Sequence, residues 1–178
     1  YAIEDMGIIR CIPGMTIISP SDAGQALKAF YASWTLNKPV YIRFTGGLNC
    51  PVIYEQEFNY QIGKGIRLRE GNQIQIIATG SMVDRALKAA KILEEKGISV
   101  DVVDMHTIKP LDMDILKKDV KLVVSVEEHS IIGGLGSAIA EALSTYSVHA
   151  PLLRLGIGDY FSQVGEYEYL LEQHGLSP

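Results

Sequence analysis

Two carboxylates and an imidazole, Glu127, Glu128 and His129, stand just before a glycine-rich run, Gly133-Gly134-Leu135-Gly136-Ser137. Such side chains pass protons or hold metal ions. Where a glycine run opens a helix, its exposed amides and the helix dipole favour an anion. The glycines therefore admit two readings, a phosphate or dinucleotide site or structural close packing. The dinucleotide fingerprint is incomplete, because Ile139 stands where its third glycine belongs and seven residues separate Gly134 from the preceding apolar run. The Glu127-Glu128-His129 group reads either as an acid-base or metal site at the carboxyl edge of a sheet, or as a turn that fixes a subunit or domain contact. No second His or Cys lies at metal-ligand spacing, which favours the contact. His106, just past another apolar run, carries the same pair of readings. Arg43 ends a further run beside Gly46-Gly47, where a forked cation can present itself to a phosphate or carboxylate or settle into an ion pair. Cys50 has no evident base partner and reads as structural.

The elements that must position these groups follow from periodicity. Ile74-Ala78, Val100-Asp104 and Leu122-Val126 are strand-like runs, with Leu152-Leu155 a fourth, and helical patterns alternate with them. That alternation predicts a mostly parallel sheet covered on both faces. Val83, Ala86, Leu87, Ala90 and Leu93 form one apolar stripe, with Ser81 and Asp84 as a capping box, Gly97 as its terminator, and Asp84 and Lys88 spaced to pair. Asp112 is placed to cap a short helix containing Ile115 and Leu116. Ser137 opens a helix with Ile139, Ala142, Leu143 and Tyr146 inward, and a last helix over 167–174 ends at Gly175. Upstream, a short helix through Ile3, Met6 and Ile9 ends before Pro13-Gly14. A strand over Met15-Ser19, a helix capped by Asp22 and running through Leu27, Phe30, Tyr31 and Trp34, and a strand over Val40-Phe44 complete an α-β-α-β unit. Gly46-Gly47, Asn49 and Cys50-Pro51 then break the pattern.

With 178 residues, 47% of them hydrophobic, the chain can bury a substantial core. Sixteen basic and 21 acidic residues leave a net charge of -5 without a basic block, which argues against nucleic-acid binding. Two cysteines without a CxxC pattern suit a reducing, cytoplasmic compartment. No apolar run approaches the roughly 18 residues of a membrane helix. The chain opens at Tyr1 directly into an amphipathic pattern, as the middle of a longer protein would.

Several strings together resemble one family. Ile62-Gly63-Lys64-Gly65, Gln75-Ile76-Ile77-Ala78-Thr79-Gly80-Ser81, Asp104-Met105-His106-Thr107-Ile108-Lys109-Pro110-Leu111-Asp112 and Glu127 through Ser137 resemble the C-terminal domain of thiamine-diphosphate-dependent transketolases. Ile3-Glu4-Asp5, Arg10-Cys11-Ile12-Pro13-Gly14-Met15 and Pro20-Ser21-Asp22 resemble the second half of the same family's pyrimidine-binding domain. Within the family, the strings at His106-Asp112 and Glu127-Leu143 look most like the C-terminal subunit of split bacterial transketolases. Those at Arg10-Met15 and Gly156-Phe161 are also similar to 1-deoxy-xylulose-5-phosphate synthase.

The resemblance implies a mostly parallel five-stranded α/β sandwich preceded by part of a second α/β domain. Residues 1–46 would be half of the pyrimidine-binding domain, 47–60 a linker and 61–178 the C-terminal domain. It implies transfer of a two-carbon ketol unit between sugar phosphates, carried by thiamine diphosphate with magnesium. The family's catalytic glutamate, pyrimidine contacts and diphosphate-magnesium domain have no counterpart here, so this chain would bind no cofactor alone and act only with a missing N-terminal portion or subunit, as a homodimer. Arg43 falls where the family grips the substrate phosphate. Glu4 and Asp5 would lie near the cofactor edge or serve as helix N-terminal charges. Glu128, His129, Gly133, Gly134 and Gly136 would sit at a domain or subunit contact. A synthase fragment using pyruvate and glyceraldehyde 3-phosphate, or a non-catalytic assembly domain, are the alternatives.

Overall fold

Apolar runs rich in Val and Ile need cover on both faces, and here helices and a second sheet supply it. The computed structural model describes residues 2–45, 51–117 and 119–178. Gly46, Gly47, Asn49 and Cys50, with the readings attached to them, lie outside the described residues.

The first unit runs α1 (Asp5–Arg10), β1 (Thr16–Ile18), α2 (Ala23–Trp34) and β2 (Val40–Ile42). The second runs β3 (Ile66–Arg69), β4 (Ile74–Ala78), α3 (Met82–Glu95), β5 (Val100–Asp104), β6 (Thr107–Lys109), β7 (Leu122–Ser130), α4 (Leu135–Leu143), β8 (Leu152–Ile157) and α5 (Tyr167–Gln173). The main sheet has the order β3-β5-β4-β7-β8. Its last four members are parallel, and β3 joins the β5 edge antiparallel. This is the α/β sandwich that the alternating pattern predicts. The smaller sheet, β2-β1-β6, pairs β1 and β2 in parallel and takes β6 antiparallel from the second unit.

Side chains alternate across the central strands, so the main sheet separates two cores. Ile76, Ala78, Val100, Val102, Val124 and Val126 face Met82, Val83, Ala86 and Ala90 of α3, with Leu171 of α5. Ile77, Val103 and Val123 face Leu135, Ile139 and Leu143 of α4. Met6 of α1 and Ile17 of β1 belong to this second core, so the first unit is packed into the main sheet's own hydrophobic interior.

Local signals hold at several helix ends. The Asp22 side chain accepts from the Gln25 amide at 2.7 Å to open α2. α3 closes with Gly97 at φ 78°, while the Ile98 amide reaches Leu93 O at 3.0 Å and the Gly97 amide reaches Glu94 O at 2.8 Å. α5 closes the same way at Gly175. The expected Asp84–Lys88 pair is present at 2.7 Å.

Three expectations are corrected, and two strands were not foreseen. Ser81 does not cap α3; its hydroxyl donates to Glu128 across the sheet edge. Asp112 opens no helix; its carboxylate accepts from the Asp114 amide at 3.2 Å in a turn and from the Gly65 amide at 3.0 Å and Lys64 at 3.1 Å. β7 continues to Ser130 and α4 starts at Leu135, ahead of Ser137, so Glu127 to Ser130 belong to the strand and not to the turn. The antiparallel strands β3 and β6 carry no periodicity strong enough to announce themselves at three or four residues.

Two glycines separate backbone conformation from space. A Cβ on Gly97 would meet nothing within 4 Å, so only its left-handed φ resists substitution. A Cβ on Gly71 would stand 2.2 Å from the carbonyl carbon of Val100. Gly97→Ala should therefore cost about 1 kcal/mol, and Gly71→Ala about 2 kcal/mol or more through displaced backbone, read as the shift in urea midpoint; equal costs would contradict this placement.

Candidate functional site

The residues with chemistry gather at the seam between the two sheets. Arg43 leaves the end of β2, where its amide still bonds Ile18 O at 2.8 Å. Its Nε donates to Asp5, 3.0 Å from Oδ2 and 3.2 Å from Oδ1, and its Nη2 to Ala2 O at 3.5 Å. The Tyr41 hydroxyl donates to the same Asp5 carboxylate at 2.7 Å. Burial pushes Asp5 upward, but the Tyr41 bond and the Arg43 cation outweigh it and hold the carboxyl below its ordinary range. Both members of the pair are largely buried, with side chains 12% and 11% exposed.

Behind this pair lies His129, fully buried. The Gly7 amide of α1 donates to its Nε2 at 3.2 Å, so the ring proton sits on Nδ1, 2.7 Å from Ser130 O. Burial lowers the His129 pKa and keeps the ring neutral. It is a spacer between carboxylates, 3.9 Å from Asp5 and 3.6 Å from Glu127.

Glu127 closes the line. It is fully buried, and its carboxylate accepts from the Leu135 amide at 2.7 Å and the Gly136 amide at 2.8 Å, the first donors of α4. The protein's own carboxylate thus occupies this helix N-terminus. A Cβ on Gly134 would lie 2.0 Å from Glu127 Oε2, so close packing against this carboxylate calls for glycine there. Gly133, at φ 81°, brings its Cα against α1, where an added Cβ would stand 2.9 Å from Gly7 Cα. Gly136 makes room for Ser125 and Arg154.

Glu128 leaves the group entirely. Strand alternation turns it to the opposite face, where it accepts from Ser81 and from the Tyr167 hydroxyl at 2.7 Å. Glu4 is exposed, and its side chain accepts from the neighbouring Ile3 amide at 3.1 Å while its carbonyl accepts from Ile8 N at 3.0 Å. His106 is buried, stacked on Tyr60 at 4.4 Å, and pulled down to about 4 by burial.

A second buried carboxylate escaped the sequence reading. Asp104, ending β5, accepts on Oδ2 from Ser21 at 2.7 Å, Gln25 at 2.9 Å and Tyr54 at 2.8 Å. Burial drives it up to about 6 against these donors. An acidic residue closing a valine-rich strand was the available signal, yet its three partners are Ser21 just before α2, Gln25 within it and Tyr54 of a distant loop. Among the described residues no group of three or more His, Cys, Asp or Glu side chains is arranged to hold a metal ion.

Compared with known proteins, residues 63–178 match the family model described as transketolase, C-terminal domain. The chain is 43% identical over 175 residues to a Methanocaldococcus jannaschii protein provisionally named as a transketolase C-terminal section, covering 97% of this chain and 55% of that one. It is 42% identical over 181 residues to a 6-deoxy-6-sulfo-D-fructose transketolase subunit of a Clostridium species, covering 99% and 55%. A 1-deoxy-D-xylulose-5-phosphate synthase of Caldanaerobacter subterraneus is 38% identical, with only 28% of its length covered. The solved structure of a split-gene transketolase, an inactive beta4 tetramer, superposes with a TM-score of 0.86 at 36% identity, covering 99% of this chain and 57% of that one. The chain thus spans about half the length of the first two relatives.

Glu127 offers a direct test. Its pKa moves from 4.5 to about 7 on folding, driven by burial against the two amides. Between those values the folded state keeps a proton that the unfolded chain has lost, so this residue's contribution to stability falls as pH rises. Glu127→Gln should therefore gain stability relative to wild type from about pH 4.5 to about pH 7, followed by urea unfolding at each pH. A difference that stays flat would mean the carboxylate is ionised throughout.

Proposed function

The chain belongs to the transketolase family, residues 63–178 being that family's C-terminal domain, and from that membership we propose that it is the C-terminal part of a split transketolase. The reaction is transfer of a two-carbon ketol unit between sugar phosphates with thiamine diphosphate and magnesium, the cofactor being held largely by a separate N-terminal portion or subunit. The observation that carries this reading is the near-complete match to two transketolase sections, each about twice as long as the matched stretch. In this reading residues 1–46 are half of a pyrimidine-binding domain, 47–60 a linker and 61–178 the C-terminal domain. The split-gene relative's assembly into a tetramer of β chains also supports self-association of this chain, with a homodimer as its unit.

Within this reading the chain's own residues bind and position. Arg43 holds the substrate phosphate at the end of β2, and Asp5 with Tyr41 fixes the direction of its guanidinium. Asp5 lies near the cofactor edge, and exposed Glu4 is the weaker candidate there. His129, Gly133, Gly134 and Gly136 maintain the contact between α1 and α4, while Glu128 ties α3 to α5. A second reading, 1-deoxy-xylulose-5-phosphate synthesis, draws on the 38% identity to a synthase across the chain. Mixing the chain with its N-terminal partner and offering ketose plus aldose phosphates, or pyruvate plus glyceraldehyde 3-phosphate, separates the two by product.

In the reconstituted enzyme, Arg43→Ala should raise KM for phosphorylated sugars about tenfold or more, the loss of a charge-assisted bond, with a smaller effect on kcat. Unchanged KM for donor and acceptor would remove Arg43 from the site. Titrating thiamine diphosphate with magnesium into the 178-residue chain alone should give no binding heat; micromolar binding would overturn the assignment of the cofactor to the partner.

A further inference from the structure

Past the end of β8 the chain folds back over α5 and brings a second group of reactive side chains together. It turns at Gly158, where the Tyr160 amide donates to Gly158 O at 2.8 Å and an added Cβ on Gly158 would stand 2.4 Å from the Tyr160 ring. α5 is anchored from below by Leu171, with Leu176 just beyond it, both buried. His174 follows the last turn of this helix, its amide donating to Leu170 O at 3.1 Å. The imidazole is thus carried by a fixed element, and the loop meets both of its nitrogens. Ser162 Oγ stands 2.8 Å from Nε2 and the Tyr160 hydroxyl 3.0 Å from Nδ1, with the Tyr160 and His174 rings stacked at 5.6 Å. A hydroxyl beside one ring nitrogen and a third group holding the other are the parts of an activated nucleophile.

We propose that Ser162 is a nucleophile, with His174 as its base and Tyr160 orienting that base, in a site that takes acyl groups from small uncharged esters. This activity is separate from the ketol transfer proposed above. With Nε2 accepting from the Ser162 hydroxyl, the ring proton sits on Nδ1 and the Tyr160 oxygen accepts it. Ser162 Oγ attacks the ester carbonyl and its proton passes to Nε2. The bond to the leaving alcohol breaks, and the alcohol departs with that proton. Water then releases the acyl group as a carboxylic acid by the same route, and Ser162 regains its hydroxyl. The amides of Gln163, Val164 and Gly165, next along the loop, donate to no protein group among the described residues and are free to meet the oxyanion. Phe161 and Val164, on either side of Ser162 in the chain, are fully exposed and give the acyl chain an apolar seat. Asp159 and Glu166 make the loop negative, which turns anionic substrates away.

The 178-residue chain can be offered p-nitrophenyl butyrate, with nitrophenolate release followed by absorbance and acylated residues mapped by peptide mass spectrometry after a rapid quench. The expected result is release above buffer with a butyryl group on Ser162. Ser162 is exposed, so Ser162→Ala should remove that group without disturbing the fold. His174→Gln should slow acylation about a hundredfold, the loss of general-base assistance. Tyr160→Phe, which leaves Nδ1 without its partner, should slow it about tenfold and displace the pH profile. A fluorophosphonate probe should modify Ser162 in the wild-type chain, a measurement that depends on no variant folding. Butyryl groups found only on Cys11, lysines or other side chains would overturn the site. So would acylation of Ser162 at an unchanged rate in His174→Gln, which would leave the Ser162–His174 contact a surface hydrogen bond.

Discussion

A carboxylate without water must find hydrogen-bond donors, and much of this seam is arranged around that demand at Glu127. Buried at the carboxyl end of β7, it is met by the first two amides of α4, and an anion at that position is favoured by the helix dipole. The contact sets the start of α4, requires glycine at position 134, and leaves space for His129 only as a neutral ring. His129 in turn accepts from Gly7, which draws α1 close enough for Gly7 and Gly133 to meet backbone to backbone. Asp5, at the other end of the line, then stands where Arg43 and Tyr41 reach it.

The two units are therefore joined by polar and apolar contacts together. Met6 and Ile17 enter the core beneath α4, β6 extends the smaller sheet, and Asp104 collects donors from Ser21, from Gln25 of α2 and from Tyr54. Burying a carboxylate is costly unless its donors are in place, so parting the two units would strip Asp104 of its Ser21 and Gln25 donors, whereas Glu127 keeps the α4 amides of its own unit. The same buried groups move proton affinity in opposite directions: Glu127 and Asp104 upward, His106 downward. Arg43 is held at the boundary of this network, with its Nε committed to Asp5, and the proposed grip on a phosphate uses a guanidinium already oriented.

Composition and spacing made the parallel sheet, α3 and its glycine end, the Asp22 cap and the last helix legible, because each rests on residues near one another in the chain. Leu27, Phe30, Tyr31 and Trp34 were legible as a helix but not as its outer face, since periodicity reports a stripe and not its direction. The Ser81 capping box failed because a side chain that suits a local cap also suits a distant partner, and Glu128 won; Asp112 keeps a local bond from the Asp114 amide at 3.2 Å but spends its other oxygen on Gly65, and no helix follows. Of the chemistry-bearing residues, Arg43 and His129 were singled out and lie at the seam, whereas adjacent Glu127 and Glu128 were read as one group and fall on opposite faces.

By itself, then, the sequence determined the α/β class, the order of its main elements and, through strings spread over the whole chain, the family. These are matters of local periodicity and residue type. Tertiary structure alone decided which anion occupies the α4 N-terminus, which nitrogen of His129 carries the proton, and that Asp5 and Arg43 form a pair. Those outcomes turn on contacts between residues far apart in the chain, Asp5 with Arg43 and Gly7 with His129. Such distances are set only when two sheets and their helices compete for the same buried space.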